Sequence, residues 1–313
     1  MSLVSIYTNK DIIAEKIDEL QTLPFTSDWQ LASYVVSECM CKQYEMMRKN
    51  LNSNMIKKRY FDQSLTGSDL KDSLYQHIYS HNHIALTDEI FEVKDAVTKY
   101  FNKVENGSDT FMTELLILEE YIDTFHFILE YTALLEEHYL ISLVENEKFT
   151  PENLNYYYVE TNRFSRQVNE MIKSEGSHIV SYLYDTEQYD LKMCDNELLN
   201  KMLILNREFI RNCNFKDWKI YPENFYSPAK FAELFKLNRD MYALCINGVA
   251  NYIDTLSFLL NRKPPFNSFS IRDVFSAMYG LYMAKREENI RRQNNDPRYT
   301  GKDSGEIVGI AVN

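Results

Sequence analysis

Glu119-Glu120-Tyr121-Ile122-Asp123-Thr124-Phe125-His126-Phe127-Ile128-Leu129 lies within residues 111–135, a stretch dominated by Phe, Leu, Ile and Tyr. Its spacing is helical, because Leu118, Ile122, Phe125 and Leu129 align as one apolar stripe. Glu120, Asp123 and His126 fall beside that stripe. Residues three apart on a helix are neighbours, so Glu120 and Asp123 form a carboxylate pair inside an apolar element. Such a pair repels itself and loses hydration, and a divalent cation is the natural way to offset both costs. With 46 acidic residues in 313, pairs at this spacing arise roughly six or seven times by chance, mostly on solvated faces. The apolar frame sets this pair apart.

The same periodicity extends along the chain. Gly (8) and Pro (7) are scarce and 45% of residues are hydrophobic, which favours long helices around a sizeable core. Helices are predicted over 11–20, 29–49, 69–80, 87–104, 111–145, 152–174, 196–212, 228–262 and 270–294. The interruptions are Pro24, the polar segment 50–67, the turn Glu105-Asn106-Gly107-Ser108, Thr150-Pro151, the link 214–226 and Pro264-Pro265. No two segments read as paired strands. The predicted fold is all-α, a helical bundle with long central helices. The chain reads as one domain, 1–313. Within it, 1–145 holds the carboxylate helices, 146–269 is a helical insertion or second half, and 270–313 is a basic helix with a polar tail.

The formal net charge of −12 argues against a general nucleic-acid or anionic-membrane surface. No stretch approaches the length of an apolar membrane span, and the N-terminal residues carry no apolar signal-peptide core. Five cysteines form no paired framework, so a reduced, cytoplasmic setting is expected. Cys39-x-Cys41 has no second pair to complete a zinc site. Glycine-rich phosphate loops, dinucleotide fingerprints and a nucleophile elbow are all missing, which directs the chemistry away from covalent catalysis.

Glu89-Ile90-Phe91-Glu92 supplies a second carboxylate pair, one helix upstream and also framed by apolar residues. Folding at the turn Glu105–Ser108 makes a helical hairpin. Glu92 lies 13 residues before Glu105 and Glu120 lies 12 after Ser108, so the pairs meet at nearly the same height. Four facing carboxylates make an oxygen cage suited to Mg²⁺. The alternative is two solvated acidic faces, and the matched height favours the cage. Glu38 has no acidic companion at helical spacing, because Cys41 stands there. His77, His81 and His83 lack a further ligand and read as a polar helix end.

Near the C-terminus, Lys285, Asn289 and Arg292 stand at i, i+4 and i+7 on one helix face, with Arg298, Tyr299 and Lys302 following. Lysine and arginine suit phosphate oxygens, and asparagine can donate or accept. The alternative is an ordinary charged terminal helix. There is also an internal echo, because 252–259 resembles 121–128, with Asn251 where the first copy has Glu120. It reads either as an old duplication, giving a pseudo-dimeric monomer, or as chance.

Together these residues resemble the dimeric dUTPase family, of the all-α NTP pyrophosphohydrolase superfamily with the MazG-like fold. Glu89–Glu92 looks like that family's E-x-x-E, and Glu120 to Phe127 like its E-x-x-D helix with a following His-Phe. Lys285, Asn289, Arg292 and Gln293 look like its K-x3-N-x2-R-Q segment, and Tyr299 like the tyrosine of its tail. The likeness covers 80–135 and 278–303, and the interval 140–265 has no matching motif. The resemblance implies Mg²⁺-dependent hydrolysis of dUTP, or dUDP, by a homodimer. Glu89, Glu92, Glu120 and Asp123 would hold metal, with one glutamate, such as Glu89, as a possible base. Lys285, Asn289, Arg292 and Tyr299 would hold the nucleotide. His126 is assigned to packing or to support of the ligands. The family places an early glutamine near the base, for which Gln21, Gln43 and Gln63 are candidates. Two other expectations stand beside it: a pyrophosphohydrolase for dCTP or a modified nucleotide, and a catalytically silent helical interaction protein.

Overall fold

A computed structural model describes residues 5–51, 67–143, 162–185, 194–213, 228–262 and 270–293. The fold is all-α. Among the described residues there are ten helices and no strand: α1 Ser5–Thr8, α2 Lys10–Gln21, α3 Asp28–Leu51, α4 Gly67–Glu105, α5 Phe111–Leu143, α6 Asn162–Asp185, α7 Asp195–Asn212, α8 Pro228–Ala250, α9 Ile253–Leu259 and α10 Ile271–Gln293. None of these helices is long and apolar enough to cross a membrane. The five cysteines are unpaired.

Helix α5 is the axis of the bundle. Its start is capped where Asp109 accepts the Phe111 N–H at 3.0 Å. Beyond the expected stripe it is apolar on nearly every side, and residues 131–138 are all buried. A helix apolar all round must be enclosed by others. Accordingly α4, α8, α3, α6 and α10 pack around it. The core aromatics Tyr121, Phe125, Tyr131, Tyr242 and Tyr282 are fully buried. Phe125 meets Tyr242 and Tyr282 edge-on, at 5.7 and 6.1 Å between ring centres.

The α4–α5 turn closes the hairpin. Gly107 has φ +61°, the left-handed conformation that ends helices, and Ser108 N–H reaches back to Lys103 C=O at 2.9 Å. α4 and α5 then run antiparallel with an extensive interface.

Three predicted boundaries are corrected. The helices expected at 69–80 and 87–104 are one continuous α4. Nothing between 81 and 86 breaks the backbone, and Thr87 hydroxyl bonds back to His83 C=O at 2.7 Å as in a helix interior. Buried Asn82 spends its amide on Phe127 C=O of α5, 3.1 Å away. The helix expected at 152–174 is described as Asn162–Asp185. Gly176 does not end it, because that glycine lies where α3 comes closest: a Cβ there would fall 2.2 Å from Ser37 Oγ and 3.0 Å from Ser37 N. The helix expected at 228–262 stops at Ala250 and resumes as α9. Tyr252 leaves helical geometry at φ −117°, ψ 14°, and its hydroxyl donates to Asp195 at 2.7 Å. The predicted start at Thr150-Pro151 and most of the segment 50–67 lie outside the described residues.

The echo is not a structural repeat. Tyr121 sits in mid-helix, whereas Tyr252 marks a helix break. Both hydroxyls nevertheless donate to Asp195 at the start of α7, Tyr121 at 2.8 Å.

Candidate metal centre

The hairpin brings three of the four predicted carboxylates together. Ligand oxygens of Glu89 and Glu92 from α4 and of Glu120 from α5 all lie within 4.8 Å of one another. This is the spatial form of the matched height. Glu120 is only 8% exposed, because the apolar residues around it cover its stem. Asp123, one turn along α5, faces the same group but is held elsewhere: Lys285 Nζ donates to its Oδ2 at 2.7 Å. Lys285 thus arrives from α10 with its side chain 8% exposed, and its second partner is Glu119 at 3.4 Å.

The electrostatics follow from crowding. Glu89 is pushed up to about 9, first by burial and then by Asp123, Glu92 and Glu120, with Lys285 pulling the other way. Glu120 is pushed up to about 8, again first by burial and then by Asp123, Glu92 and Glu119. Burial would lower Lys285, but Asp123 and Glu119 outweigh it and hold the ammonium charged. The nest therefore keeps protons at neutral pH that a cation would displace.

The donor set fits a hard divalent ion. Octahedral Mg²⁺ with oxygens at about 2.1 Å spans about 3 Å between adjacent ligands and about 4.2 Å between opposite ones. Oxygens within 4.8 Å of one another would draw in around such an ion, by up to about 1.8 Å for adjacent ligands. All candidate ligands are carboxylate oxygens, which suits Mg²⁺ or Mn²⁺ better than zinc or copper.

A polar chain braces the next turn of α5. Gln43 of α3 donates to Glu130 at 2.8 Å, and its Oε1 accepts from Tyr282 hydroxyl at 3.1 Å. His126 Nδ1 lies 3.0 Å from the same oxygen, which can only accept, so Nδ1 carries the proton. Burial, then Lys285 and Arg286, hold His126 down to about 3, so it stays neutral. The ring lies 4.5 Å from that of Tyr282. Gln43 is buried and engaged at both ends of its amide. Gln21 ends α2, and Gln63 lies outside the described residues.

The other predicted residues fall as follows. Asn289 stands one turn beyond Lys285 on α10. Arg292 belongs to the last turn of α10, but its side chain lies outside the described residues, as does Tyr299 entirely. Glu38 pairs with Lys42 at 3.6 Å, away from the nest. Of the three histidines, the side chain of His77 lies outside the described residues, and the ligand group that gathers among those described contains no histidine.

Sequence reasoning missed Glu119. It accepts Ser5 N–H at 2.8 Å, Ser5 Oγ–H at 2.7 Å and Lys285 at 3.4 Å. The signal was present, because Glu119 and Asp123 are four apart and so flank one cation on a helix face. No family model, curated protein or solved structure matches this chain.

Proposed function

We propose that this protein is a divalent-metal-dependent nucleoside triphosphate pyrophosphohydrolase of the kind that the dimeric dUTPases represent, cleaving dUTP to dUMP and pyrophosphate. The observation that carries this reading is the convergence of Glu89, Glu92 and Glu120 within 4.8 Å, with Asp123 and Lys285 adjoining. An acidic nest with one buried lysine at its edge is chemistry for a metal-bound anion. Glu89, Glu92, Glu120 and Asp123 would hold Mg²⁺, which when bound neutralises the triphosphate and lowers the pKa of a water ligand. One of these glutamates, such as Glu89, would act instead as the base that takes the proton from the attacking water. Lys285 and Asn289 would meet the phosphates from α10, joined by Arg292 and Tyr299. His126, neutral and braced by Gln43, would keep the turn after Asp123 in place. A cytoplasmic homodimer goes with this reading, and light scattering on the eluted protein checks the dimer.

The test is pyrophosphate release from a panel of deoxynucleoside triphosphates, with and without Mg²⁺, for the natural chain and for Glu120→Gln. Expected is turnover of dUTP that needs both magnesium and Glu120. Preference for dCTP or a modified nucleotide would change the substrate and keep the site. Turnover indifferent to both magnesium and Glu120 would refute the site. One observation favours a second reading, a catalytically silent helical protein: Lys285 already balances Asp123 from within. Failure to bind Mg²⁺ or to turn over any nucleotide would support it.

A further inference from the structure

The carboxylate group that gathers within ligand distance leaves out Asp123, although Asp123 is the strongest charged influence on both Glu89 and Glu120. The reason is on α10. Lys285 Nζ sits 2.7 Å from Asp123 Oδ2, with the lysine side chain 8% exposed. We infer that Lys285 is the resident counter-cation of the nest, and that a divalent ion and this lysine exchange at Asp123. The inference rests on the metal reading above and adds the order of events to it.

Three features support the exchange. Burying an ammonium is costly, and here it is tolerated because Asp123 and Glu119 both face it. A dication taking the same Asp123 oxygen as a ligand would stand within about 5 Å of that ammonium, where like charges repel strongly in a partly dry site. The ion's entry therefore weakens the lysine's hold on Asp123. The lysine has somewhere to go. Glu119 lies one helical turn away, fixed by two hydrogen bonds from Ser5, and a recess beside it is lined by Ser5, Asn9, Ile122, Ala284 and Lys285. A turn about the lysine's outer bonds lets Nζ leave Asp123 and close up on Glu119, which it already reaches at 3.4 Å, while α10 stays in place. Once released, the ammonium can meet an anionic group on the bound ion. Metal and polyphosphate should then bind cooperatively, with Lys285 as the coupling element and Glu119 as the residue that positions it.

Mn²⁺ binding followed by calorimetry and by the electron-spin signal of the free ion tests this on the full chain. Lys285→Met should tighten Mn²⁺ about tenfold, because the competitor is gone. Arg286→Met is the control for general charge removal, since Arg286 pairs with Glu45 at 3.5 Å and not with Asp123, and it should leave affinity within about twofold. Glu119→Gln should weaken Mn²⁺ several-fold by depriving the displaced lysine of its second partner, and it serves if Lys285→Met does not fold. In the natural chain saturating Mn²⁺ should raise the affinity for inorganic tripolyphosphate, and Lys285→Met should abolish most of that gain. Mn²⁺ affinity unchanged in Lys285→Met, or equally changed in Arg286→Met, overturns the exchange and leaves the metal site standing. Unchanged affinity in Glu119→Gln likewise overturns it. No Mn²⁺ binding by the natural chain removes the metal reading itself, and the exchange with it.

Discussion

Glu120→Gln interrogates the carboxylate nest through stability, without any substrate. In the unfolded chain this carboxyl titrates near 4.5; in the folded nest it is pushed up to about 8, first by burial and then by Asp123, Glu92 and Glu119. Between those values the folded chain holds a proton that the unfolded chain has lost. Its contribution is therefore full below 4.5 and is lost as pH rises toward 8. At about 1.4 kcal/mol per pH unit, the interval from about pH 5 to about pH 7.5 removes about 3 kcal/mol. Glutamine keeps the volume and stays uncharged, so the variant should lose that slope. Urea denaturation in EDTA at the two pH values is the assay. Relative to the natural chain, Glu120→Gln should gain about 3 kcal/mol between about pH 5 and about pH 7.5. Glu130 and Glu136, raised to about 7 and about 8 by burial, are common to both proteins and cancel in the comparison. Adding Mg²⁺ at the higher pH should restore the natural chain and leave Glu120→Gln unmoved. A difference that is the same at both pH values, or that runs in the opposite direction, refutes a buried, crowded Glu120.

Other parts of the bundle yield sharper packing tests. Gly176→Ala puts a Cβ 2.2 Å from Ser37 Oγ and 3.1 Å from Ser37 Cα, so α3 and α6 must separate; a loss of about 2 kcal/mol is expected by urea denaturation. Tyr252→Phe removes the 2.7 Å bond to Asp195 that holds the α8–α9 break and should cost about 1–2 kcal/mol without changing turnover. Arg239→Met leaves buried Glu175 without its two-pronged partner, now at 2.7 Å on both oxygens, and should cost about 3 kcal/mol by the same assay.

Local pattern carried much of the fold. The stripe through Leu118, Ile122, Phe125 and Leu129 is a property of one helix, and so is the pair Glu120–Asp123. The opposition of Glu89 and Glu92 to Glu120 needed one more element, a turn whose Gly107 takes the left-handed conformation. Such features follow from helical periodicity and a short connection, and both are local. Boundaries failed where distant partners intervened. Asp195, far from Tyr252 in sequence, pulls the chain out of its helix by accepting that hydroxyl and a contact from Asn251 at 3.4 Å. Asn82 spends its amide on α5, and so α4 runs unbroken through a polar stretch that reads as an end. Gln43, one of three equal candidates in the sequence, is committed to Glu130, His126 and Tyr282 only because α3, α5 and α10 meet there.

The sequence by itself determined an all-α class, a helical hairpin and two carboxylate pairs at one height, because each depends on residues a few turns apart. Only the tertiary structure decided what neutralises those pairs. Lys285 stands 162 positions from Asp123, and Glu119 is tied to Ser5 across 114. Their meeting depends on how α1, α5 and α10 pack, through a shared core in which one helix is enclosed on nearly all sides. Periodicity places a charge on a face of its own helix, but the burial that makes five carboxyls and one ammonium interact strongly comes only from the other helices closing over them.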